Sequence, residues 1–389
     1  MKTGDQKKKF ESANRYQKAA QAVLKRNRKW TCLHSGCTKR SIYSHAISKA
    51  IALSTIAEEE YLSTIESRRQ YDTKILQFGL ISINEATAFN GFCEKHEVLF
   101  SDLDNWEITR AKSLLMQAYR SVISRCINES RLAELNGDCD VARAIEDHAV
   151  DQPWLLEEDE KNLFLSDLKK SAEVHKRRAR ALMELPTELL RVRAVIEDRP
   201  LNSFGFVTTE KSSHFVTFRR LEFRIPVAVN CFIPMVATDR QLDFYFSVIP
   251  YKDSSLVFGV IPKNTDSSLI DILDQRFSSE VGVLDLVESI IACSNEWYMS
   301  PSVLDEMPIG KREVFLQDST FQTEQRIFDI YDMTLFDNLR RTLGEQRPEL
   351  KAQLRLEKIN DIPIREIFEV RHKKMINKIE TQCLKLLDL

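Results

Sequence analysis

Apolar positions recur along this chain with more than one period. Over residues 10–28, Phe10, Ala13, Ala20, Val23 and Leu24 fall on one face of a helical wheel with Lys and Arg opposite, which predicts an amphipathic helix. Residues 49–60 also read as helical. Residues 61–90 carry short apolar runs, Ile75-Leu76-Gln77-Phe78 and Leu80-Ile81-Ser82-Ile83, which predict small strands ahead of a turn and a helix starting near Gly91.

From 105 to 200 the spacing is helical over longer stretches. Ala111, Leu114, Leu115, Ala118, Tyr119, Val122 and Ile123 share a stripe. A second run spans about 160–185, and Pro186 is expected to close it because proline removes a helical donor. Between 203 and 262 the runs turn β: Phe204–Val207, His214–Phe218, Ile225–Val229, Phe244–Ile249 and Leu256–Ile261 predict five strands. Residues 267–300 return to helix and end at Trp297–Pro301, and 320–389 read as mostly helical and heavily charged. The predicted class is α+β. A small N-terminal module occupies 1–104, a helical middle 105–200, and a β-rich core with a helical tail 201–389.

Composition adds bounds to this picture. At 389 residues, with 43% hydrophobic and 29% charged, the chain is long enough for two or three cores and too apolar to be disordered. No apolar run reaches the length a bilayer requires, and the charged start has no apolar stretch behind it, so a cytoplasmic protein with no membrane partner is expected. The net charge of −2 conceals an asymmetry: residues 1–40 hold twelve Lys/Arg against Asp5 and Glu11. Such an arm suits nucleic acid, DNA ahead of RNA, since phosphates are met by clustered cations; a solvated helix face is the alternative. The aromatics of 204–258 are expected in the core. The acidic run at 157–160 is expected to favour a helix start, and Glu58-Glu59-Glu60 to form a solvated face. There is no phosphate-cradling glycine loop, nucleophile elbow or dinucleotide fingerprint.

Candidate chemistry concentrates near the N-terminus. Of the eight cysteines, Cys126, Cys139, Cys231, Cys293 and Cys383 sit in apolar or helical surroundings and are expected to be free buried thiols. Cys32 and Cys37 are four residues apart, with Gly36 closing a turn that brings both sulfurs to one side. Cys93 and His96 stand one turn apart at a predicted helix start. The two half-sites supply the four tetrahedral N/S ligands that Zn²⁺ takes, with His34 and His45 as spare candidates.

The order Cys-x4-Cys, then His45 followed two residues on by Ile47, then Cys-x2-His at a helix start, resembles the zinc-containing HNH (ββα-metal) endonucleases over about residues 30–104. The resemblance implies a treble-clef zinc module in which His45 is the general base and Glu97, directly after the last ligand, faces a catalytic Mg²⁺ or Mn²⁺. The departures are Ser44 where the family has an acid, the doubtful match of Asn90 to the family's middle Asn, and the long insert between His45 and Cys93. Arg143 and His148 match the short Arg-x4-His pattern of HEPN-type ribonucleases, which arises often by chance. The expected function is a metal-dependent nuclease with a structural zinc, of the kind suspected in bacterial antiphage defence. The C-terminal part would sense, bind a protein partner or self-assemble. The rival is a non-catalytic, zinc-stabilised module that binds nucleic acid or protein, which Ser44 favours.

Overall fold

A computed structural model describes residues 30–70, 73–137, 158–237, 240–321 and 329–371, with positions 18, 22, 373 and 374. Most of the basic arm, the predicted helix at 10–28 and the Arg143–His148 pattern lie outside the described residues. Among the described residues, no helix is long and apolar enough to cross a membrane.

The centre of the molecule is an antiparallel sheet of eight strands: β2 (Tyr61–Gln70), β3 (Thr73–Ser82), β5 (Phe204–Val207), β6 (His214–Leu221), β7 (Val227–Ala237), β8 (Arg240–Pro250), β9 (Ser255–Pro262) and β10 (Trp297–Met299). Their order is β3-β2-β10-β7-β8-β9-β6-β5. The five strands expected between 203 and 262 are present. The middle strands are buried on both faces, which is why they read as apolar runs with little alternation. Phe244, Phe246 and Val248 of β8 enter one core, while Tyr245 and Ile249 enter the other. Gly259 on β9 lets the ring of Phe244 close in, since a Cβ there would meet that ring at 2.5 Å.

One face of the sheet packs against α5 (Ser267–Ser278), α6 (Glu280–Ala292), α8 (Ile309–Thr320) and α9 (Asp337–Gln346). The other face packs against α3 (Ala111–Gly137) and α4 (Glu158–Val195). The same second core continues into residues 32–108, through Cys32, Ile47, Leu53, Phe92, Cys93, Phe100 and Ile108.

Five local expectations change. Residues 49–60 form turns and a single 3-10 helix, Leu53–Thr55, with Ala52, Leu53 and Ile56 buried in the core. Tyr61–Gln70 and Thr73–Ser82 pair as two ten-residue strands, register Tyr61↔Ser82 to Gln70↔Thr73, in place of small strands. Pro186 lies inside α4, which continues to Val195. Leu185, Leu189 and Val192 are buried in the core beneath α3 and the sheet, and that packing overrides a proline penalty of about 3 kcal/mol. Trp297–Met299 is a strand rather than a helix end, pairing β7 on one side and β2 on the other. Glu58, expected to be merely solvated, accepts hydrogen bonds from Ser300 Oγ and from Ser302 N in the first turn of α7 (Pro301–Asp305).

Candidate metal centre and its surroundings

The first half-site is a small knuckle. Cys32 N donates to Lys39 O at 2.7 Å and Cys37 N to His34 O at 3.0 Å. Gly36 takes φ +74°, a conformation that costs other residues strain. The second half-site follows a two-stranded ribbon, β1 (Ser44–His45) paired antiparallel with β4 (Ala88–Phe89). The chain then enters a short helix, α1 (Glu94–Glu97), with Cys93 as N-cap. Leu33 N to Gly91 O (2.9 Å) and Ile42 N to Phe92 O (2.7 Å) fasten the two halves together.

Cys32 Sγ, Cys37 Sγ, Cys93 Sγ and a ring nitrogen of His96 all lie within 4.8 Å of one another, a group that can hold a metal ion such as zinc. His96 Nδ1 is 3.2 Å from Cys32 Sγ and 3.4 Å from Cys93 Sγ, and the Cys37 and Cys93 sulfurs are 3.8 Å apart. Bonds of ~2.3 Å to sulfur and ~2.1 Å to nitrogen at the tetrahedral angle would set these edges at roughly 3.5–3.8 Å, so the donors fit Zn²⁺. Burial pushes the Cys32 thiol up to about 11. For Cys93, burial also acts upward, but backbone N–H groups of His96 and Lys95 and the neighbouring thiols hold it below its ordinary value.

The spare candidates are not in this group. His34 lies against His96, rings 4.0 Å apart, and its Nδ1 is 3.2 Å from Tyr119 Oη. His45 stands at the end of β1, where Nε2–H donates to the carbonyl of Asn84 at 3.2 Å. That bond leaves Nδ1 as the lone-pair nitrogen of the neutral ring. Burial lowers the imidazole pKa, the Asn84 carbonyl raises it and the charge of Arg120 lowers it, with a net downward shift.

Glu97 accepts a hydrogen bond on each carboxylate oxygen. Ser44 Oγ donates to Oε2 at 2.6 Å, and Arg120 on α3 donates to Oε1 at 2.8 Å. Arg120 also meets Asp104 at 2.7 Å, at the end of α2 (Ser101–Asn105), and lies 4.9 Å from the Phe100 ring centre. Its side chain is 2% exposed. Sequence reasoning did not name Arg120, Asp104 or the Glu97 partnership. A visible signal was a guanidinium inside the run Leu114–Ile123, where the neighbouring side chains are buried. No protein-family model, curated protein or solved structure matches this chain.

Proposed function

We propose that this protein is a zinc-stabilised nucleic-acid-binding protein, built on an HNH-like module whose hydrolytic position is closed. Supporting the module are the knuckle, the β1–β4 ribbon and the helix start, which occur in the order a treble clef would have. Supporting zinc is the donor set of three sulfurs and one imidazole. Bound there, zinc would supply a structural cross-link, because four protein donors leave no open position for substrate. Supporting nucleic acid are the cation-rich first forty residues and the exposed Lys39 and Arg40 beside the knuckle, which have no ion-pair partner among the described residues.

The observation that carries the non-catalytic reading is the state of Glu97. Both carboxylate oxygens are taken, one by Ser44 and one by Arg120. A carboxylate can ligate a divalent ion while accepting a hydrogen bond, but the cation paired with Glu97 here is the Arg120 guanidinium, which competes with a divalent ion for the same charge. Here a buried guanidinium already supplies the cation next to His45, and Ser44, where the HNH pattern has an acid, is spent as a donor. The alternative, a nuclease, rests on His45: burial favours its neutral imidazole, which retains the lone pair of a general base.

One experiment separates them. Purified full-length protein should carry about one zinc per chain, bind DNA with an affinity that falls steeply as salt rises, and leave plasmid and single-stranded DNA uncut in Mg²⁺ or Mn²⁺. Metal-dependent cutting that disappears in His45→Ala, with zinc content unchanged, would establish the nuclease instead. Absence of binding even at low salt would remove nucleic acid from the function.

A further inference from the structure

Beside β1 lies a groove of about 690 Å³ lined by Arg40, Ser41, Ile42, Tyr43 and Asn90. Its floor is held firmly. Ser41 N and Oγ donate to Trp30 O at 2.9 and 3.0 Å, and Ile42 N donates to Phe92 O. Tyr43 is 56% exposed yet fixed at its tip, because its hydroxyl donates to Asn84 O at 2.7 Å. Its ring meets His45 edge-on at 5.7 Å. The side-chain oxygen of Asn84 also accepts from Lys49 Nζ at 2.9 Å. Asn84 thus sets the positions of an aromatic ring, an imidazole and an ammonium together.

We propose that this groove binds unpaired nucleotides of a single-stranded nucleic acid. The proposal rests on the nucleic-acid reading above and specifies its substrate class. A tyrosine anchored at its hydroxyl and left largely open to solvent is a rigid platform for a base, and stacking on it loses little conformational entropy. Asn90 contributes an amide with no hydrogen-bond partner among the described residues, which can pair with a base edge. Arg40 has no ion-pair partner among the described residues and suits a phosphate. Lys39 and Lys49 add to the positive side, while Glu85 is a carboxylate acting on the Tyr43 phenol. The cation-rich stretch 1–40 leads directly into the groove's first lining residue. Duplexes bury their base faces in the stack, so a platform of this kind selects unpaired bases.

The test uses full-length, zinc-loaded protein and labelled oligo(dT), oligo(U) and a DNA duplex of equal length. Both single strands are expected to bind more tightly than the duplex, and the stronger of the two identifies DNA or RNA as the source. Tyr43→Leu should weaken single-strand binding by roughly ten-fold or more, and Tyr43→Phe, which keeps the ring, should retain most of the affinity. Arg40→Gln should reduce the salt slope by about one unit on a logarithmic scale. Zinc content of each variant reports folding, and Arg40→Gln and Asn90→Ala carry the test if Tyr43→Leu loses metal. Single-strand affinity unchanged in these variants, while the wild type binds, overturns the groove and leaves the nucleic-acid function standing. Equal losses on duplex and single strand overturn the preference for unpaired bases. No binding by the wild type overturns both.

Discussion

Removing Arg120 would strand Glu97 and Asp104 beside an apolar core, with Phe100 losing its cationic neighbour. Breaking a buried pair from one side costs about 3–5 kcal/mol, so Arg120→Met should lower the melting temperature clearly in thermal unfolding. A loss under about 1 kcal/mol would mean that the network is solvated and the closed-site argument fails. Glu188 on α4 gives a pH-dependent case. Burial acts to raise its pKa, but hydrogen bonds from Ser212, Ser213 and His214 outweigh it and hold the carboxyl at about 2. A carboxylate depressed in the fold contributes its stability above the unfolded value, near 4.5, and loses it as pH falls toward 2. Urea melts of Glu188→Gln should therefore show a shallower loss of stability than wild type between those pH values, and a parallel curve would disprove it. At this scale the metal ligands were legible because a half-site is encoded by short local spacing. Arg120 was not, because its partners come from two other helices and only the fold brings them together.

The elements that could be read from sequence were those whose burial is local and periodic. The five strands at 204–262 carry long β-branched and aromatic runs, and α3 carries an apolar stripe, so each predicts itself. The hairpin β2–β3 and strand β10 are different. β10 has three residues and follows a buried helix, so its β character depends on finding β7 and β2 on either side. Both ends of the hairpin emerge from the core shared with the metal ligands, through Ile56, Leu62 and Ile83. Chelating the metal should therefore reduce hydrogen-exchange protection in 30–45, in 84–105 and also in the hairpin, while 227–261 stays protected. Unchanged protection of the hairpin after verified metal loss would show that β10 and the core around Ile65, Phe78 and Phe315 hold it without the metal.

In the whole molecule, the sheet draws strands from both sides of residue 104, and the core beneath it runs without a break into the metal centre. A fragment of residues 1–104 would expose Leu62 and Ile65, which the full chain buries. Such a fragment should show no cooperative thermal transition even with zinc supplied, whereas the full chain should; a fragment that melts cooperatively would show that the module is self-sufficient. The same topology bears on synthesis. Ser63 pairs with Met299, so the β2–β3 hairpin leaves the ribosome long before β10, the partner that joins it to the rest of the sheet, exists. At about 5–20 residues per second that interval is roughly ten to fifty seconds. The set of four candidate ligands is complete early in that interval, since Cys32 and Cys37 precede Ser63 and His96 precedes Met299 by far. Metal capture, with the β1–β4 ribbon beside it, is then among the first long-range closures open to the nascent chain. A metal held there would keep the hairpin's two ends together during the period when its apolar face is most exposed to misassembly, and metal supply would then set folding yield as well as the finished protein's stability.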